Sequence, residues 1–247
     1  MQLAPVTPGY ARPDIPHAGE LSDALARLVD VTDADPYAIA SPEQLWDLVG
    51  APLERVLTKE MPALDERARG FIAASPFLVM ATTGADGSCD AGPKGGPAGF
   101  VNVLGDTRLL VPEYPGNRRF DGVQNLVARP GIGLLFAVPG ITETLRVNGF
   151  ARLSRDPELL ELCTVDGRKP WFVTDVEVRQ VFSHCGKAFI RSHLWQPETW
   201  PDPDAVSTPS KSIAALAELE RRRESDVRRE VEDGYEPGEL YGEPAAG

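Results

Sequence analysis

The first 75 residues carry apolar side chains at the spacing of helices. One apolar face falls within residues 21–29, and two further helical stretches cover residues 52–60 and 64–74. Ser41 followed by Pro42 is typical of an N-cap and a first helical position, which predicts a helix that continues to residue 49. The N-terminal part of the chain is therefore predicted to be mainly helical.

The hydrophobic pattern changes period at Phe77, from which short apolar runs alternate with turn signals. The run at residues 77–83 predicts a buried strand, and the Asp-Gly pair that ends the turn at residues 84–87 predicts a hairpin. Residues 92–99 contain so many glycines and prolines that an irregular loop is predicted there. Further strands are predicted at residues 88–91, 100–104, 108–111, 131–138, 143–153 and 172–182. Short strands at this spacing favour an antiparallel barrel.

A candidate anion site lies at the start of an amphipathic helix predicted after residue 119. Asn117, Arg118 and Arg119 come directly before this helix, and the first N–H groups of a helix have no partner within it. Two guanidinium groups beside such N–H groups make a good phosphate site. Because cations at a helix N-terminus oppose the helix dipole, a bound anion explains the pair better than chance does.

The predicted helix is amphipathic and is followed by two strands. Its apolar residues recur at helical spacing and are expected to face a core: Phe120, Val123, Leu126 and Val127. Pro130 ends the helix, since the residue before a proline disfavours helical geometry. Residues 112–149 therefore predict a phosphate-bearing ligand that lies against a small sheet.

Charge and hydropathy argue against two classes of partner. The formal net charge is −12, which disfavours nucleic acid because binding to its phosphates needs a basic surface. Twelve acidic and six basic residues lie from Pro201 onward, so half of the net charge falls near the C-terminus. The chain has no run of about 18 apolar residues, and no membrane-spanning segment is predicted. An anionic ligand is therefore expected to bind through a local basic cluster.

The cysteines and the N-terminus predict a cytoplasmic location. Cys89, Cys163 and Cys185 are an odd number of cysteines and lack metal-ligand spacing. The N-terminus has no basic segment followed by an apolar one, which argues against a signal peptide. His184 beside Cys185 suggests a nucleophile or a metal ligand, but adjacent strand residues point to opposite faces. Both are interpreted as structural, and no metal site is predicted.

Several blocks of the sequence resemble the flavin-binding core of the pyridoxamine 5′-phosphate oxidase-like superfamily, and in particular a bacterial branch of FMN-binding members. The blocks are SPF-to-ATT at residues 75–83, a Gly/Pro-rich loop with GFV-x-VL at 92–104, PGNRR at 115–119 and HC-x-KA-x-IRS-x-LW at 184–195. The resemblance covers residues 41–200. It implies a split β-barrel that binds FMN at the interface of a homodimer.

Pattern and resemblance together predict an α+β fold that is mainly antiparallel β: a split β-barrel with peripheral N-terminal helices and a charged C-terminal helix. Residues 1–74 are expected to form an N-terminal arm and helices packed on the barrel. Residues 75–200 are expected to form the FMN-binding domain. Residues 201–247 are expected to contain a charged helix at 210–232 and a flexible tail.

The resemblance implies which residues would hold the FMN phosphate. Arg118 and Arg119 match the basic pair that grips this phosphate in the family, and Asn117 is the small polar residue before them. Lys94, in the Gly-rich loop, stands where the family has a basic residue, more commonly arginine. Lysine keeps the charge but loses the bidentate fork of arginine.

The resemblance also implies contacts to the flavin ring. Thr144 and Arg146 share one face of a predicted strand, where they can hydrogen-bond the pyrimidine edge and stabilise reduced anionic flavin. Lys187 and Arg191 are four residues apart on a predicted helix and hence on one face. With Trp195 they are expected to reach the partner's flavin across the dimer interface, although a solvated surface is the competing interpretation.

The predicted function is that of an FMN-dependent oxidoreductase that acts on an unidentified small molecule. No catalytic residues are predicted, because the flavin itself carries the hydride or electron chemistry. One alternative is a split barrel that binds the deazaflavin F420 or haem. Another is a non-catalytic module that stores or senses flavin, with the C-terminal helix recruiting a partner.

Overall fold

The structure is a computed structural model that describes residues 37–116, 118–206 and 223–233. The predicted N-terminal arm, the apolar face at residues 21–29 and most of the helix predicted at 210–232 lie outside these residues. The described chain falls into two compact units, divided between Leu53 and Glu54. The domain boundaries predicted from the sequence stay predictions.

The first unit contains helix α1 (Pro42–Val49) within its described residues. Ser41 is the N-cap, and its side chain accepts a hydrogen bond from the backbone N–H of Gln44. Gly50 ends the helix with a φ of 84°, which suits a residue without a Cβ. The start and end predicted for this helix are confirmed.

The second unit contains the remaining described elements. Its strands are β1 (Phe77–Thr83), β2 (Cys89–Gly95), β3 (Asn102–Val103), β4 (Arg108–Glu113), β5 (Gly131–Ala137), β6 (Thr144–Ser154) and β7 (Phe172–His184). Its helices are α2 (Glu54–Leu57), α3 (Glu66–Ala74), α4 (Asp121–Ala128), α5 (Pro157–Leu162), α6 (Lys187–Ser192) and α7 (Glu224–Asp233). None of the described helices is both long and apolar enough to cross a bilayer.

The seven strands form one antiparallel sheet in the order β2-β1-β5-β6-β7-β4-β3. Lys94 on β2 and Glu113 on β4 are five places apart in this order, yet their side chains form an ion pair. The sheet therefore curls until its β2 edge approaches β4, where side chains rather than backbone hydrogen bonds bridge the gap. The predicted α+β fold with a split barrel is confirmed.

A single core fills the inner side of the curled sheet. Alternate residues of the strands point inward, as in Leu145 and Val147 of β6, and α3 and α4 cover them with Ile72 and Leu126. Each such side chain contributes roughly 1.5–3 kcal/mol when it is fully buried. A smaller cluster lies where α5 packs on the opposite face of β4 and β7; it comprises Leu110, Leu160, Cys163 and Val173.

β2 and β4 extend further than predicted, and both extensions matter for the site. β2 continues to Gly95, so Lys94 lies on a strand and not in an irregular loop. Proline is tolerated at position 93 because β2 is an edge strand. β4 continues from Val111 to Glu113, which places the Glu113 side chain on the inner face beside Val111.

Other predicted boundaries also change. Val127 is 77% exposed, so the expectation that it faces the core is wrong, whereas Val123 and Leu126 are buried as predicted. α2 is much shorter than the predicted helix at residues 52–60. β6 and β7 shift register between Asn148 and Gly149. At Gly149 a Cβ would lie 2.0 Å from the carbonyl oxygen of Glu177, so only glycine fits this irregularity.

Candidate functional site

A pocket of about 500 Å³ opens between β2, β4 and the start of α4, where the barrel is split. Its charged lining residues are three carboxylates and two cations: Asp90, Glu113, Asp121, Lys94 and Arg119. Aromatic and proline side chains form much of the remaining wall: Pro93, Phe100, Pro112, Tyr114, Pro115 and Phe120. Apolar walls with a few polar groups are typical of small-molecule sites.

The N-terminus of α4 faces this pocket. Asp121, Gly122 and Val123 line it, and the N-cap residue, Phe120, makes no side-chain hydrogen bond to the helix. Gly122 lets the helix approach β1, since a Cβ there would lie 3.2 Å from the hydroxyl of Thr82. A helix start without a side-chain cap suits an anion, because the first N–H groups point outward.

An amide network fixes the helix against the β1–β2 hairpin. Nδ2 of Asn125 donates to the carboxylate of Asp90 at 2.7 Å and to the hydroxyl of Thr82 at 3.1 Å. Because Asp90 also lines the pocket, this network positions one pocket carboxylate as well as the helix.

The two arginines predicted to form one phosphate site point to different surroundings. Arg119 lines the pocket and forms an ion pair with Asp121. The guanidinium of Arg118 lies 5.6 Å from the ring centre of Trp171, in cation–π geometry. Asn117, the third residue of the predicted cluster, lies outside the described residues.

The backbone around Arg119 is strained. Arg118 and Phe120 adopt left-handed φ angles of 61° and 51°, which residues other than glycine, Asn and Asp rarely adopt. Phe120 packs its ring 5.4 Å from that of Phe172, which helps to hold this conformation. Such strain persists where the surrounding packing enforces it, and it is often found at binding sites.

Lys94 and Glu113 bridge the split in the barrel. Glu113 is only 3% exposed; its carboxylate pairs with Nζ of Lys94 and accepts a hydrogen bond of 3.2 Å from the hydroxyl of Thr174. Burial raises the pKa of the Glu113 carboxyl, and the charge and hydrogen bonds of Lys94 and Thr174 offset this only in part. The pocket thus contains a carboxylate that holds a proton more readily than an ordinary glutamate.

The predicted flavin-ring contacts Thr144 and Arg146 lie on the outer face of β6. Three strand spacings separate β6 from β2, about 14 Å, so one chain does not bring Arg146 and Lys94 together. The guanidinium of Arg146 lies 5.3 Å from the ring centre of Phe182. Its Nε is buried and has no hydrogen-bond partner within the described part of the chain. Burial and the nearby charge of Arg146 lower the pKa of His184.

The other predicted ring contacts follow β7. Lys187 and Arg191 are both exposed on α6, and the Nε of Arg191 donates to the backbone oxygen of Lys187. The indole N–H of Trp195 donates to the backbone oxygen of Ile141 at 2.8 Å. Trp195 therefore anchors this segment to the loop before β6. The roles predicted for all these residues in binding a cofactor stay predictions.

Sequence reasoning missed the acidic side of the pocket. Residues 109–112 are all apolar, so no alternation marks the two faces of β4, and the prediction of a loop from Pro112 leaves Glu113 outside the strand. The inward direction of Glu113 follows only from the continuation of β4 to this residue. Asp90 lies on the same face of β2 as Lys94. No local sequence pattern indicated that Trp171 would contact the arginine pair.

Residues 64–185 match the family model described as pyridoxamine 5′-phosphate oxidase. The matched stretch contains all seven strands of the sheet and the pocket-lining residues. Residues 64–185 belong to the pyridoxamine 5′-phosphate oxidase-like superfamily. The resemblance that the sequence motifs indicate is confirmed at this level. No curated protein matches the chain.

Similar solved structures include three with different descriptions. A putative pyridoxamine 5′-phosphate oxidase from Lactobacillus delbrueckii is 24% identical, with 49% of this chain and 95% of that chain covered and a TM-score of 0.39. An FMN-binding protein from Syntrophomonas wolfei is 9% identical, with 68% and 98% covered and a TM-score of 0.37. An F420 reductase is 14% identical, with 48% and 98% covered and a TM-score of 0.36. The family assignment rests on the match of residues 64–185 to the family model.

Proposed function

We propose that the pocket at the split of the barrel binds the phosphate of FMN and that the protein is an FMN-dependent oxidoreductase. The observation that carries the proposal is the convergence of Lys94, Arg119 and the N-terminus of α4 on one pocket. These are three independent kinds of phosphate ligand: an ammonium, a guanidinium and a helix start. Membership of the superfamily agrees with this choice of ligand.

The residues present fit a phosphate monoester better than a bare polyanion. Lys94 and Arg119 each have a carboxylate partner, Glu113 and Asp121, so the pocket has no excess of positive charge. A phosphate would add to these ion pairs and not replace them, with the helix start supplying further donors. Arg118, stacked on Trp171, holds the loop that carries Arg119.

The flavin ring would lie against a second chain in a homodimer. The outer sheet face supports this proposal because it combines polar side chains, such as Arg146 with its unpaired buried Nε, with half-exposed apolar ones, such as Phe150. When bound, FMN supplies the hydride or electron transfer, and the protein orients it and excludes water. Thr144, Arg146, Lys187, Arg191 and Trp195 remain the proposed ring contacts; a small-molecule substrate and a cytoplasmic location belong to the same proposal.

An absorption spectrum of the purified protein, followed by the mass of whatever heat releases, tests the cofactor. We expect the bands of oxidised flavin and the mass of FMN. The same mass distinguishes FMN from F420 and haem. A colourless protein that also fails to bind added FMN would contradict the proposal.

Turnover separates an enzyme from a flavin-storage or flavin-sensing module. We expect the bound flavin to be reduced by a nicotinamide cofactor or another two-electron donor and then reoxidised by an added acceptor. A flavin that stays oxidised with every donor, in a protein that forms a stable complex with another protein through its C-terminal helix, would favour the non-catalytic alternative.

A further inference from the structure

We infer that Glu113 gives the pocket a preference for a phosphate group that carries a proton. A fully ionised anion such as sulfate would bind more weakly. The inference rests on the proposed phosphate site and adds a specificity-determining residue to it. Its basis is the position of a buried hydrogen-bond acceptor in the wall of a pocket that would hold an anion.

Glu113 retains acceptor capacity that faces the pocket. An ionised carboxylate has about four lone-pair sites. Among the described residues, Lys94 binds one oxygen and the hydroxyl of Thr174 donates to the other. Glu113 is only 3% exposed but lines the pocket, so a ligand in the pocket would satisfy the remaining sites. An anion that enters beside Lys94 therefore meets a group that can only accept hydrogen bonds.

This arrangement discriminates between anions by their protons. A phosphate monoester takes up its second proton with a pKa of about 6, so near neutral pH it can present an O–H group to Glu113. Sulfate has no such proton, and its oxygens would face the carboxylate as one acceptor against another. One proton shared between the phosphate and Glu113 removes this repulsion. The raised pKa of Glu113 supports such sharing.

The other charged groups around the pocket are not placed to discriminate between the two anions in this way. Lys94 approaches Glu113 from β2, and the uncharged Thr174 approaches it from β7. Arg119 and Asp121, at the start of α4, pair with each other, and Asp90 is held by Asn125. Only Glu113 among the three carboxylates is both fully buried and adjacent to the ammonium of Lys94.

Competition of inorganic phosphate and sodium sulfate with FMN tests the inference, with protein fluorescence or flavin quenching as the signal. The test is made at about pH 6.5, above the ordinary pKa of a carboxyl group and below the pH at which phosphate has lost its proton. There we expect the wild-type protein to prefer phosphate by roughly tenfold or more. In Glu113→Gln the amide can donate to sulfate, so the preference should fall below about threefold. The matched control Glu177→Gln changes an exposed carboxylate outside the pocket and should keep the wild-type preference.

The pH profile gives a readout that a merely structural residue would not produce. The preference should pass through a maximum, because protonated Glu113 accepts sulfate at lower pH and phosphate loses its proton at higher pH. Equal wild-type affinities for both anions, or a preference unchanged in folded Glu113→Gln, would overturn the inference. If Glu113→Gln does not fold, the wild-type profile alone decides.

The same experiment separates the inference from the proposed function. Binding of both anions can be followed by thermal stabilisation without FMN. Phosphate selectivity in a protein that never binds FMN would contradict the proposed function and leave the inference intact. FMN binding without phosphate selectivity would contradict the inference and leave the proposed function intact.

Discussion

Two buried carboxylates, Glu113 and Asp175, lie on the neighbouring strands β4 and β7 and have opposite surroundings. Glu113, 3% exposed, has a single cationic partner, and burial raises its pKa. Asp175 is 5% exposed, and its burial alone would also raise the pKa. Two hydrogen bonds from Arg108, at 2.7 and 3.0 Å, and one from Arg152, at 2.9 Å, lower it instead.

The difference shows that burial does not by itself mark a functional carboxylate; the number of cationic donors around it does. Asp175 cross-links β4, β6 and β7 through two guanidinium groups, which stabilise its ionised form. Glu113 spans a gap in the sheet with one ammonium. Both carboxylates line pockets, Glu113 the one at the split of the barrel and Asp175 one of about 470 Å³, so the number of cationic donors distinguishes them. We therefore interpret Asp175 as a structural residue and Glu113 as part of the site.

The largest expected effect comes from removing the single cation beside Glu113. Lys94→Met leaves a buried carboxylate without a charged partner, and we expect a loss of about 3 kcal/mol in the free energy of unfolding at neutral pH. Urea denaturation measures it. Lys94→Met combined with Glu113→Leu should regain most of the loss, since apolar residues tolerate this burial. A loss below about 0.5 kcal/mol, typical of exposed pairs, would mean that water reaches Glu113 freely.

Removing the other carboxylate should cost less. In Asp175→Asn the two arginines lose an acceptor but can turn to solvent, because their side chains are 39% and 75% exposed. We expect a loss of about 2 kcal/mol in the free energy of unfolding, with no change in phosphate or FMN affinity. A variant with altered ligand affinity would contradict the structural interpretation of Asp175.

The pH dependence of stability should differ in sign between the two sites. The raised pKa of Glu113 stabilises the fold below the unfolded-state pKa, and this contribution is lost as pH rises through the folded-state pKa. The lowered pKa of Asp175 stabilises the fold above the unfolded-state pKa, and that contribution is lost as pH falls through the folded-state pKa.

Relative to wild type, Glu113→Gln should therefore gain stability as pH rises, and Asp175→Asn should lose it. Thermal denaturation of the three proteins from acid to neutral pH measures both slopes. We expect the two slopes, measured relative to wild type, to have opposite signs. Slopes of the same sign would show that the two carboxylates do not differ as the structure indicates.

The smallest expected effect comes from the outer arginine of the Asp175 cluster. Arg152 is 75% exposed, and its removal leaves the two hydrogen bonds from Arg108 in place. Arg152→Gln should cost less than about 0.5 kcal/mol of unfolding free energy, whereas Arg108→Gln should cost more because it loses a bidentate pair. Chemical denaturation of both variants tests this order.

The local parts of the fold were predictable from the sequence, and its long-range pairings were not. Apolar runs of strand length predicted β1 and β5, and the Asp-Gly turn predicted the hairpin, because these patterns depend on neighbours in the chain. The pairing of Lys94 with Glu113 depends on how far a whole sheet curls. No short stretch of sequence carries that information.

The arrangement of the pocket was predictable only in part for the same reason. Arg118 and Arg119 are adjacent in sequence, which suggested one guanidinium pair. The backbone is left-handed at Arg118 and Phe120, and the two arginines have different partners, Trp171 for Arg118 and Asp121 for Arg119. Proline and glycine at positions 92–97 suggested a loop, but pairing with β1 enforces a strand up to Gly95.

The affinity for FMN compared with riboflavin tests the central claim most directly, because the two ligands differ only in the phosphate. We expect the wild-type protein to bind FMN about 100-fold or more tightly, which corresponds to about 2.7 kcal/mol for charge-assisted contacts. Arg119→Met should reduce this preference at least several-fold, whereas Arg152→Met, outside the pocket, should leave it unchanged. Equal affinities for FMN and riboflavin in the wild-type protein would contradict a phosphate site in this pocket.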